Sequence, residues 1–112
     1  GAKQQNGVTV VTGVVPIDAS DAKDLVFKVR EANPSHLLCV IGTTAGNKPL
    51  LSVMLSDDLV KEHNLNAGAM VREAAKLIKG GGGGQPHYAS AGGKDLEGLN
   101  AAIEKVIELA QL

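Results

Sequence analysis

Runs of apolar residues with two different periods divide this chain. GVTVVTGVVP (Gly7 to Pro16) is rich in β-branched residues and bounded by breakers, which predicts a strand. Asp18, Ser20 and Asp21 then offer capping and early acidic residues. Ala22, Leu25, Val26 and Val29 follow at helical spacing until Asn33-Pro34, so a helix is expected there. HLLCVIGTT (His36 to Thr44) is a short continuous apolar run, the pattern of a strand covered on both faces. Gly46 to Pro49 is turn chemistry, and Leu50 to Leu55 reads as the second strand of a hairpin. Ser56-Asp57-Asp58 caps a short helix ending near His63. Asn66 caps a longer one with Met70, Ala74, Leu77 and Ile78 on one face, ending at Lys79. HYASA reads as a short strand or extended edge. Asp95 caps a last helix striped by Leu96, Leu99, Ile103, Val106 and Ala110.

The resulting order is β α β β α α, a Gly-rich loop, an extended segment and a final helix. It predicts an α/β fold: a small mixed sheet with helices packed on it, forming one domain over residues 1–112. Residues 1–6 carry no pattern and read as a flexible N-terminal remnant. Hydrophobic residues make up 44% of the 112, enough for a modest core. No apolar run approaches the ~20 residues of a membrane span, and no signal peptide pattern is visible, so a cytoplasmic location is expected. The lone cysteine, Cys39, excludes an internal disulfide and reads as a buried small hydrophobe.

Seven of the 14 glycines fall within residues 80–94, GGGGGQPHYASAGGK. Neither common phosphate loop fits them. A Walker loop needs Gly-Lys-Ser/Thr entering a helix, but Lys94 is followed by Asp95. The dinucleotide fingerprint would need a third glycine at Gln85. The three histidines, His36, His63 and His87, lack partners at metal spacing. Aromatic residues are only 2% of the chain, which argues against a base-stacking platform. A net charge of −1 and a pI near 6.3 argue against binding nucleic acid by bulk charge. What remains is local: Arg72, Lys76, Lys79 and Lys94 surround the glycines. They read either as a solvated helix face or as contacts for phosphate beside exposed backbone N–H groups.

NAGAMVREAAKLIKGGGGGQPHYASAGGKDLEGLNAAIEKV, with the upstream LLCVIG and LLSVMLSDDLV, resembles the C-terminal domain of alanyl-tRNA synthetases. The same domain, called DHHA1, is shared with DHH phosphoesterases. The resemblance covers most of the chain and is weakest over residues 1–15. It implies a non-catalytic domain that binds the outer corner of tRNA(Ala) and couples aminoacylation with editing. The other domains of the parent synthetase are further partners, and no membrane is involved. The fragment itself needs no cofactor, while the parent's ATP, Mg and Zn belong to other domains. The RNA-binding residues implied are Arg72, Lys76, Lys79, Gly80, Gly81, Gly82, Gly83, Gly84, Gln85, His87, Tyr88, Gly92, Gly93 and Lys94. Gln85 and His87 depart from the Arg and Asp that often flank Pro86 in the family. Two alternatives stay open: the substrate-binding domain of a DHH phosphoesterase and a homodimerisation module. On this reading Gly81 to Gly84 serve recognition rather than stability, and Gly82→Val costs only on the order of 1 kcal/mol of folding energy.

Overall fold

The computed structural model describes all of residues 1–112. Six strands form one sheet: β1 (Ala2–Gln5), β2 (Val8–Val15), β3 (Leu37–Thr43), β4 (Leu50–Leu55), β5 (Gly81–Gly84) and β6 (Tyr88–Gly92). Their spatial order is β1-β2-β3-β4-β6-β5. Only β2 and β3 are parallel, and helix α1 (Ala19–Ala32) makes the crossover between them. Every other pairing is antiparallel, so the sheet is mixed, as the sequence predicts.

All seven residues of β3 are buried because helices cover both faces of the sheet. On one face α1 packs Val26 against Leu37, Cys39, Ile41 and Met54. On the other, α2 (Asp57–Glu62), α3 (Ala67–Ala74) and α4 (Leu99–Ala110) close over the larger core, which includes Leu38, Val40, Leu51 and Val53. The alternation along β3 thus places successive residues in two cores. Cys39 lies in the smaller one, where burial pushes its thiol up to about 12, so it stays protonated and inert at neutral pH. The expected caps form: Asp18 accepts from the Asp21 N–H, Asn66 from Ala69, and Asp95 from Glu97 in the 3₁₀ turn that leads into α4.

Three expectations are corrected. Residues 2–5 are not a flexible remnant but strand β1, joined to β2 by Asn6-Gly7. Both turn residues have positive φ (53° and 81°), as a type I′ hairpin turn requires. The glycine run is not a loop but the edge strand β5. All of HYASA but His87 accordingly lies inside the sheet in β6, between β4 and β5. The third correction concerns the end of α3. Its helical course tightens into a 3₁₀ turn over Ala75–Ile78, which buries Ile78 but rotates Leu77 outward to 41% exposure.

Where the amino end of β3 meets α2, the Ser56 hydroxyl accepts from the Leu37 N–H at 2.9 Å rather than capping α2. The His36 N–H donates to both Asp58 carboxylate oxygens, at 3.0 and 3.2 Å, and His36 Nδ1 lies 3.5 Å from Oδ2. Partial burial raises the Asp58 pKa, but hydrogen bonds from Ser56 and the His36 N–H, with the His36 charge, outweigh it. The net effect holds the carboxyl below its ordinary 3.8. A depressed folded-state pKa contributes stability above the unfolded value and loses it as pH falls through the folded one. Asp58→Asn is therefore expected to lower the urea midpoint at pH 7, with the gap from the parent narrowing below about pH 4. A gap independent of pH would assign the loss to packing instead.

Candidate nucleic-acid interface

The parallel pair β2/β3 gives the sheet a carboxyl end, the side where α/β folds place their ligands. There the chain leaves β2 through Ile17 and Asp18 into α1 and leaves β3 through a 3₁₀ turn at Ala45–Asn47. It then enters β4 at Leu50 and ends β6 at Gly92. These segments enclose an open cleft of about 470 Å³. Lys48, Lys79 and Lys94 stand around it, over a lining that includes Ile17, Ala45, Pro49 and Leu50.

Two backbone hydrogen bonds bring the three lysines together. The Gly93 N–H donates to the Pro49 carbonyl at 3.0 Å, and the Lys94 N–H to the Ile78 carbonyl at 2.8 Å. Lys48, Lys79 and Lys94 therefore adjoin segments that are hydrogen-bonded to one another. None has a carboxylate within 4.0 Å, since the four ion pairs of the domain lie elsewhere. Asp18 is the one acid lining the cleft, and its carboxylate already accepts from the Asp21 N–H at 2.9 Å.

Lys79 is held unusually. It ends the 3₁₀ turn in the left-handed conformation, φ 53° and ψ 50°. Its N–H donates to Lys76, and the Gly80 N–H reaches back to Ala75 at 2.9 Å, which is the Schellman pattern. Glycine ordinarily fills this position, because a side chain there costs about 1–2 kcal/mol. The strain is carried by a residue whose side chain lines the cleft.

The glycines separate into two kinds. A Cβ at Gly80 would come within 2.5 Å of Gly93 Cα, at Gly82 within 2.5 Å of Ala91 Cα, and at Gly84 within 2.7 Å of the Tyr88 carbonyl. A Cβ at Gly93 would meet Ile78 Cγ1 at 2.7 Å. These four glycines permit close backbone packing inside the domain, which corrects the expectation that the whole run serves recognition. Gly81 and Gly92, paired across β5/β6, would place a Cβ in open space, and Gly83 would only touch Arg72 at 3.8 Å.

Apart from Gly81, Gly82 and Gly83, which lie along β5, the residues singled out in the sequence fall into three groups. Lys79, Gly80, Gly92, Gly93 and Lys94 share the cleft. Gly84, Gln85, His87 and Tyr88 lie at the opposite end of the β5/β6 hairpin. Its tip is fixed there by the Ala67 N–H to Pro86 and the Leu55 N–H to His87, both 2.8 Å. Tyr88 is half-buried against α1, its ring 5.2 Å from Phe27 with Lys23 Nζ 5.9 Å from its centroid. Arg72 and Lys76 are exposed on the α3 course outside the cleft, and Lys76 pairs with Glu73 at 3.3 Å. Sequence reasoning missed Lys48, Ile17 and the start of α1. The signal available was positional, since ligand sites collect where a parallel pair ends.

A family profile described as DHHA1 domain matches residues 7–112. The chain is 53% identical over 105 residues to the alanine–tRNA ligase of Bacteroides fragilis, covering 94% of this chain and 12% of that protein. It is 47% identical over 107 residues to the alanine–tRNA ligase of Parabacteroides distasonis, again covering 12% of the relative. It thus spans about an eighth of the curated relatives it matches. The C-Ala domain from Aquifex aeolicus alanyl-tRNA synthetase superposes with a TM-score of 0.86 over 100% of this chain and 99% of that one. Identity there is 23%, so this likeness speaks to the fold. With the profile spanning all but its first six residues, the chain belongs to the DHHA1 domain family.

Proposed function

We propose that this chain is the C-terminal tRNA-binding domain of a cytoplasmic alanine–tRNA ligase, holding tRNA(Ala) for catalytic and editing domains elsewhere in the parent. The observation that carries the reading is local. In a domain of net charge −1, three lysines without acidic partners converge on the cleft at the carboxyl end of the β2/β3 pair. Cations that lack carboxylate partners are available to phosphate. The 53% and 47% identities to alanine–tRNA ligases favour this parent over a DHH phosphoesterase.

The test is equilibrium binding of labelled tRNA to the isolated chain and to Lys79→Gly. Glycine relieves the left-handed strain, so the variant is expected to be more stable by about 0.5–1 kcal/mol. It removes one phosphate contact, so it is expected to bind tRNA about fourfold more weakly at 0.15 M salt. Opposite signs for stability and affinity would indicate that Lys79 is kept for its charge. Undetectable tRNA binding by the parent at low salt would overturn the reading, as would a concentration-dependent dimer with no RNA affinity.

A further inference from the structure

We infer that the cleft at the carboxyl end of β2 and β3 receives a single unstacked nucleotide, its phosphate among Lys48, Lys79 and Lys94 and its base on the floor formed by Gly92, Pro49 and Leu50. This deepens the tRNA-binding proposal and rests on it for the source of the nucleotide, but not for the chemistry of the cleft.

Three independent features point there. The first is Gly92. Its φ is not in the left-handed region, and a Cβ would meet no atom within 4 Å. Neither conformation nor packing within the domain therefore calls for glycine at this last residue of β6. What its bareness preserves is the open floor of the cleft. The second is the division of the walls. Cations stand on the β3–β4, α3–β5 and β6–α4 connections, while Ile17, Ala45, Pro49 and Leu50 supply apolar surface. A bare phosphate would use only the first, and an apolar ligand only the second. A nucleoside phosphate uses both, and about 470 Å³ lies within the range of roughly 300–1,000 Å³ typical of small-molecule sites. The third is the start of α1. Ala19 lines the cleft, and the Ala19 and Ser20 N–H groups at the start of this 14-residue helix have no intrahelical acceptor, the Asp21 N–H being capped by Asp18. Asp18, the single acid, faces the same space and is an acceptor for a ribose hydroxyl or a base amino group.

The nucleotide has two sources, a base turned out of a bound RNA or a free mononucleotide, and one experiment separates them. Amide chemical shifts of the chain are followed during titration with adenosine 5′-monophosphate, cytidine 5′-monophosphate, adenosine and inorganic phosphate. Either nucleotide is expected to bind at least about tenfold more tightly than phosphate or nucleoside, with shifts at Gly80, Gly92, Gly93 and Lys94. Gly92→Leu places its Cβ in open space on the floor and is expected to keep the parent's melting temperature while abolishing those shifts. Where Gly92→Leu also weakens tRNA binding severalfold, the nucleotide comes from RNA. Where tRNA affinity is unchanged, or the parent binds no tRNA, the source is free nucleotide, and only the tRNA reading falls in the second case. Absence of cleft shifts with both nucleotides, or nucleotide binding by a folded Gly92→Leu equal to the parent's, overturns the inference. Asp18→Ala provides a second variant: it is expected to weaken mononucleotide but not phosphate binding, and an equal loss of both would contradict the base-and-ribose assignment.

Discussion

Gly82→Val is expected to destabilise the domain by about 3 kcal/mol or more, lowering Tm by over ~10 °C, while Gly81→Val leaves it folded with little change. The two residues are identical neighbours in one strand, yet their surroundings are opposite. A Cβ on Gly82 would lie 2.5 Å from Ala91 Cα and 2.7 Å from Ala91 Cβ, besides colliding with the Ser90 carbonyl. The Ala91 Cα and the Ser90 carbonyl belong to the backbone of β6, which is itself held by β4, so they cannot move aside as a flexible side chain would. Relief requires β5 to separate from β6, giving up the pairing of Gly81–Gly84 with Ala89–Gly92 and exposing the α3 surface packed on it. A Cβ on Gly81 meets nothing within 4 Å, and a β-branched residue there also reduces the entropy lost on folding. Gly83→Ala is expected to resemble Gly81→Val, and Gly84→Ala to resemble Gly82→Val, since φ at Gly84 is 155° and the Tyr88 carbonyl is close. Thermal melts of the four variants, with amide exchange at Ala89–Gly92, check the pattern. Equal losses at residues 81 and 82 would mean that β5 is a loop in solution.

This alternation was not legible in the sequence. Five consecutive glycines carry no strand signal, because strand formation here comes from neighbours and not from propensity. α3 and β6 close on a backbone thin enough to fit between them, and only the assembled fold contains that constraint. β1 is a different case. Ala2–Gln5 shows no apolar alternation, yet Asn6-Gly7 before the alternating Val8–Val15 is a strong hairpin signal that the polar composition of the segment obscures. What could be read were the elements whose own residues determine them: β3 by its unbroken apolar run, α1 by its Asp18 cap and its spacing, and the hairpin of β3 and β4 by Gly46 to Pro49. Half of the cleft was legible in the same way, because Lys79 and Lys94 flank the glycines. The other half, Lys48 and the start of α1, arrives through the crossover and through the Gly93-to-Pro49 hydrogen bond, neither of which leaves a local pattern.

Replacing Lys48, Lys79 and Lys94 together by alanine is expected to weaken tRNA binding about 50- to 150-fold at 0.15 M salt and to remove most of its salt dependence. Each phosphate neutralised adds about −0.7 to −0.9 to the slope of log affinity against log salt, so three contacts give the parent a slope of about −2 to −3. Over the ~0.8 decade between 0.15 M and 1 M, that slope amounts to roughly 1.7 to 2.2 log units, and this sets the predicted loss. The fold has little reason to respond, since all three side chains are exposed and none pairs with an acid. Arg72→Ala with Lys76→Ala is the discriminating control. These cations also adjoin the glycines in sequence, but they lie outside the cleft, and Lys76 is held 3.3 Å from Glu73. Their joint removal is expected to change affinity less than about fivefold, because both lie outside the cleft and Lys76 is already paired with Glu73. Should the Arg72/Lys76 pair instead carry the slope while the triple variant binds like the parent, RNA lies along α3 and not across the carboxyl end of the sheet. A parent slope steeper than about −6 would require more cations than the cleft contains and would move the interface to a broader surface.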